Sequence, residues 1–162
     1  MKVNIIRAVI LAIVITGGFI TMTLKGEAVE AEPDSQIKEV SYLQELLECE
    51  NSIINNYNQK YTHIVCKYAK EYSVSAIQIA NIINCENRGW KPTLQSGLYY
   101  TRDRINEGVY KGQREESYGL AQIHLPAHKN ISYSQATNPD FAIEFMAKAL
   151  SEGKGTMWTC YR

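Results

Sequence analysis

Neither sign of charge is in excess in this chain: 17 Lys and Arg against 17 Asp and Glu leave a formal net charge of +0. Without a basic excess there is no field to draw in a polyanion, so nucleic acid is not an expected partner. Metal-ligand spacing is missing too. There is no CxxC and no HExxH, and His63, His124 and His128 form no ligand set. Neither a metal nor a cofactor is expected. No internal repeat and no low-complexity tract occurs, and 162 residues leave no comfortable room for two domains. A Cys–His nucleophilic enzyme would need a partner pair that cannot be identified. A single exported domain with a modest core remains.

Export is read from the amino terminus. Lys2 and Arg7 precede a charge-free run over residues 8–24, and Val29 and Ala31 stand at the −3 and −1 positions of a signal-peptidase site. The run is long for a signal core and barely long enough to span a bilayer. Residues 1–31 are therefore a signal peptide or a retained anchor, and membrane contact is expected only through residues 8–24 if they stay uncleaved. Either way the chain belongs to the cell envelope, whether periplasmic, secreted or held at the outer face of the membrane. The four cysteines agree, since Cys49, Cys66, Cys85 and Cys160 all follow that segment, an even number suited to disulfides. Three pairings are open.

The remainder reads as mostly α. Residues 27–35 look like a linker. Ile37, Val40, Leu43, Leu47, Ile54, Tyr57, Tyr61, Ile64, Val65 and Tyr68 recur at helical spacing, with Asn55 and Asn56 as a divide. Ser73 or Ser75 caps a third helix carrying "AIQIANIINCE", which Asn87, Gly89 and Pro92 end. Residues 93–117 read as irregular, with "GLYYTRDRI" admitting a small hairpin. Asn138-Pro139-Asp140 starts a last helix that stops at Gly153. The expected division is residues 32–61 as linker and amino-terminal helical region, then 62–162 as the main domain; the oligomeric state is not readable.

Two stretches carry chemistry. Ile79, Ile82, Ile83 and Glu86 fall at i, i+3, i+4 and i+7, so a glutamate continues an apolar stripe. Burial disfavours an ionised carboxyl, and one that keeps its proton is what a general acid needs. The plainer alternative is a frayed helix end with Glu86 in water. In "SYGLAQIHLPAH", Gly119 permits a positive φ or close approach of backbone to a ligand, while Gln122 offers both donor and acceptor. A glycine turn that merely starts a helix is the competing reading. His124 either touches a ligand there or packs, and Trp90 and Trp158 either stack on sugars or fill the core.

"INCENRGW" followed by "SYGLAQIHLPAH" resembles the paired signature of the soluble lytic transglycosylase family, whose domain is related to goose-type lysozyme. The likeness covers roughly residues 62–162, with Glu86-Asn87 at the family's Glu-Ser and Gly119-Leu120-Ala121-Gln122 at its Gly-Leu-Met-Gln turn. It implies a lysozyme-like helical fold with peptidoglycan glycan strands as partner and substrate. Glu86 would be the single general acid/base, cutting the MurNAc–GlcNAc bond and leaving a 1,6-anhydro end. Tyr118, Gly119, Gln122, His124, Tyr133 and Trp158 would line the substrate site, and Tyr118, Tyr133 or Tyr161 would supply the tyrosine that assists the acid. The chain departs from the pattern in Asn87, in the long insertion before Gly119, and in lacking a clear Tyr-Asn-Ala-Gly motif. Two alternatives stay open: a hydrolytic muramidase using Asp103, Glu107, Glu115 or Glu116 as second carboxylate, and a non-catalytic wall-binding protein. A small disulfide protein with no glycan affinity would make both motifs coincidence.

Overall fold

The computed structural model describes residues 33–54, 57 and 59–161. The export segment lies outside the described residues; among those described, no helix is long and apolar enough to cross a membrane. Asp34–Arg162 form one compact unit. It is mostly α-helical: α1 (Pro33–Ile54), α2 (Thr62–Glu71), α3 (Ala76–Glu86), α4 (Tyr133–Ala136) and α5 (Pro139–Ser151), with short 3-10 turns at Gln59–Tyr61, Ile105–Glu107 and Gly155–Met157. Two short antiparallel strands, β1 (Ser117–Tyr118) and β2 (Ile123–His124), pair Ser117 with His124 and Tyr118 with Ile123.

Periodicity and capping account for the helices. α2, α3 and α5 pack together, and Val65, Ile79, Ile83, Ile143 and Met146 are fully buried where their apolar stripes meet. Ser75 starts α3 by accepting the Gln78 N–H at 3.3 Å. Asn138 starts α5 by accepting from Asp140 and Phe141 at 2.9 and 3.2 Å, with Pro139 following it. Such a cap contributes about 1 kcal/mol by satisfying donors that have no helical partner. α4 went unread in the sequence, although Ser132 and Gln135 form a capping box around its start, a spacing that signals a helix.

Two expectations need correction. α1 begins at Pro33, inside the stretch read as linker, because proline gives up no hydrogen bond in a first helical turn. It stops at Ile54, before Asn55 and Asn56; these two, with Asn58, lie outside the described residues. "GLYYTRDRI" forms no strand. Residues 97–116 instead run out and back as an arm joined by single bridges at Tyr99–Arg114 and Arg104–Val109, and the paired strands flank the Gly119 turn. Both disulfides are present: Cys49–Cys66 ties α1 to α2, and Cys85–Cys160 ties the end of α3 to the carboxyl-terminal segment.

Candidate active site

The stripe on α3 runs as expected up to its last turn. Ile79, Ile82 and Ile83 are at most 1% exposed, and Glu86, one turn on, is half-buried. Its Oε1 accepts from the Thr159 hydroxyl at 3.1 Å and the Cys160 N–H at 3.2 Å. The Cys85–Cys160 bridge, with Cα atoms 6.1 Å apart, holds those two donors beside the helix end. Among the described residues nothing donates to Oε2, so only one of the two carboxyl oxygens is anchored.

Asn87 connects this helix end to the distant turn. Its side chain is fully buried, donates to the Lys91 and Gly119 carbonyls at 2.7 and 3.0 Å, and accepts the Lys91 N–H at 2.9 Å. Both amide hydrogens and the carbonyl oxygen are engaged, as a buried amide requires. Gly119 itself is enclosed: at φ +80° a Cβ would lie 1.9 Å from the Ala136 carbonyl oxygen. Its backbone serves the turn, since its N–H donates to the Leu94 carbonyl at 2.9 Å. Gln122 closes the turn in the left-handed region at φ +46°. Its Nε2 donates to the Leu94 and Gly119 carbonyls at 3.2 and 2.9 Å, leaving Oε1 as the acceptor the side chain has to offer.

Glu86, Ala121, Gln122, His124, Trp158 and Thr159 line one cleft of about 740 Å³. No protein-family model, curated protein or solved structure matches the chain. The site therefore rests on its own geometry. Trp158 is 5% exposed, donates its indole N–H to the Ala121 carbonyl at 2.7 Å and meets Phe145 edge-on at 6.3 Å. With Phe145, Leu94, Ile123 and Met157 it supplies the apolar part of the lining, and Gln95, Ser96, Arg114, Glu115 and Ser117 supply polar groups. An apolar cleft with a few placed polar groups is the usual form of a small-ligand or glycan site.

Other sequence-selected residues stand elsewhere. Tyr118, Gly119, Tyr133 and Tyr161 do not line the cleft. Tyr118 and Tyr133 pack edge to face at 5.0 Å, and burial, then the nearby Glu116 carboxylate, pushes the Tyr118 hydroxyl up. His124 reaches the cleft but is tied into a polar cluster, with Nε2 3.0 Å from Glu107 Oε2 and Nδ1 3.1 Å from the Ser117 hydroxyl. Burial raises the Glu107 carboxyl, but hydrogen bonds from His124 and Arg104 outweigh it and hold the group below the ordinary carboxylate value. Trp90 is core, 2% exposed with its indole N–H unpartnered. Of the alternative carboxylates, Glu115 lines the cleft and accepts the Ser96 hydroxyl at 2.6 Å. Asp103 and Glu116 are exposed on the arm. Thr159 was not selected from the sequence; its place beside Glu86 follows once Cys85 and Cys160 are paired, because each is the chain neighbour of a bridged cysteine. Among the described residues no cluster of His, Cys, Asp and Glu could hold a metal ion.

Proposed function

We propose that this domain is a lysozyme-like lytic transglycosylase that cleaves the glycan of bacterial peptidoglycan at the envelope. The observation that carries the reading is that Glu86, at the end of α3, and the Ala121–Gln122 side of the distant turn line the same aromatic cleft. The resemblance of the two sequence stretches supports it, and so does the buried Asn87–Gly119 hydrogen bond that fixes their relation. In this reading protonated Glu86 donates to the oxygen linking N-acetylmuramic acid to N-acetylglucosamine. Cleavage leaves an oxocarbenium-like centre. The sugar's own 6-hydroxyl then attacks that centre while Glu86 takes back a proton, closing the 1,6-anhydro ring with no water consumed. Gln122 Oε1 would accept from the substrate, and Trp158 and Phe145 would present apolar surface to sugar faces. Thr159 and the Cys160 N–H orient the carboxyl.

A second reading, hydrolysis, draws on Glu115, which shares the cleft and could direct a water. One experiment separates them. Purified peptidoglycan is digested and the fragments weighed: an anhydro end is one water lighter than the reducing end a hydrolase leaves. Glu86→Gln is expected to lower the clearing of turbid walls by at least about a hundredfold, the scale of losing a general acid. Undiminished clearing by that variant, or no clearing by the native protein, would remove the catalytic assignment and leave a wall-binding module.

A further inference from the structure

The second half of α1 is seated on the domain, whereas the first half touches it through Tyr42, whose ring centroid lies 4.1 Å from Lys70 Nζ. Leu46 and Ile53 are 7% and 0% exposed, Cys49 is bridged to Cys66, and Glu45 and Glu50 reach Lys70 and His63 at 2.6 and 2.7 Å. Residues 36–45, by contrast, are all exposed. An apolar row follows the outer side: Ile37, Val40, Leu43 and Leu47 are 68%, 56%, 56% and 39% exposed. A helical half-length standing in water is marginal alone, and its side chains gain nothing from the core. Three of the row fall on the a and d positions of a heptad and Leu43 falls beside them at a g position. With Ile37 at position a, the a positions are Ile37, Gln44 and Asn51, and the d positions are Val40, Leu47 and Ile54.

We infer that α1 is a dimerisation element, which pairs in parallel with α1 of a second copy of this chain. The polar layers choose the partner and the direction. In a parallel two-stranded pair each a residue meets its own copy, so Gln44 meets Gln44 and Asn51 meets Asn51, and each amide finds an amide. An antiparallel pair would set those amides against Val40 and Leu47, with no hydrogen-bond partner. Charge permits the pairing. The residues that face across the flanks are Gln36 with Ser41 and Leu43 with Glu48, so no like charges oppose each other. Glu45 and Glu50 are turned toward the domain by their own partners, and the chain as a whole carries +0. The 22 residues of α1 give a seam about 33 Å long on a helix about 10 Å across. That is a few hundred Å² on each side, the low end for a specific pair, so the dimer dissociates on dilution. This inference is independent of the cleft chemistry.

The test is sedimentation of the full chain in mild detergent over a wide concentration range. The native protein is expected to show a reversible monomer–dimer equilibrium. Val40→Lys with Leu47→Lys, both at exposed positions, is expected to weaken it at least a hundredfold while circular dichroism and both disulfides stay unchanged. Gln44→Cys is expected to give a covalent dimer under mild oxidation, which a parallel seam allows and an antiparallel one does not. A native protein that stays monomeric throughout overturns the inference and gives the row to another protein's helix. Association that survives the double lysine variant also overturns it, and assigns self-association to residues 8–24. Failure of Gln44→Cys to cross-link a confirmed dimer overturns the parallel arrangement.

Discussion

The clamp that holds Glu86 and the arm that borders the same cleft are built on opposite terms. In the clamp the side chains are tied to the backbone: Asn87 makes three hydrogen bonds, Gln122 two and Trp158 one, all to backbone groups. Gly119 has no space around it. In the arm, Leu98, Tyr99, Ile105 and Tyr110 are 69%, 63%, 78% and 55% exposed, and a Cβ on Gly97, Gly108 or Gly112 would meet nothing within 4 Å. The arm is fastened at its base by Ser96 to Glu115 and Arg114 to the Ser96 carbonyl, and at its outer turn by His124 to Glu107. Position is thus enforced around the acid by bonds to backbone in a closely packed turn, whereas the arm is held by a few polar side chains.

Substitution measures that contrast. Gly119→Ala is expected to be the most damaging, at about 4 kcal/mol or more, since a backbone carbonyl must move and a positive φ must be kept. The measurement is urea unfolding of the native and variant proteins; a loss under about 1 kcal/mol would mean the turn can yield. Asn87→Ala should cost about 3 kcal/mol by stranding buried backbone groups of Lys91 and Gly119. It should also depress wall clearing in protein that remains folded, because the tie between the two halves of the cleft is gone. Gly112→Ala, at φ +84° but in open space, should cost only about 1–2 kcal/mol from backbone strain. Equal losses at Gly112 and Gly119 would erase the distinction between arm and clamp.

The smallest expected effect is one of pH. Burial, then the neighbouring His124 charge, holds His128 below its ordinary value of 6.5. The unfolded chain therefore takes up a proton first as pH falls. Stability present above about pH 6.5 is lost as the pH drops through the lowered folded value. Thermal melts between pH 7 and 5 should show the decline, and His128→Gln should flatten it. The carboxylates held low, Glu107 and Glu152, contribute stability that is present above their ordinary value of 4.5 and is lost only as the pH falls below it, so the two windows separate.

What could be read from the sequence follows the range of the interaction. α3 and α5 were visible because their stripes and the caps Ser75 and Asn138 act within a few residues. Disulfides were expected from four exported cysteines, but their pairing depends on distances no spacing reveals. The link from Glu86 to the Gly119 turn crosses 32 residues through Asn87, whose preceding history in a sequence is that of any helix-ending asparagine. The side taken by Tyr118 was equally hidden, because a strand of two residues has too little alternation to define a face. The paired strands flank the turn at 119–122, where Gly119 and Gln122 both adopt positive φ, and residues 97–105 carry only single bridges.

The cleft's lining residues all fall between Glu86 and Thr159, inside the covalent ring closed by Cys85 and Cys160, 75 positions apart. A protease that nicked the protruding arm would consequently release no fragment. The two pieces would still travel as one molecule and come apart only on a reducing gel.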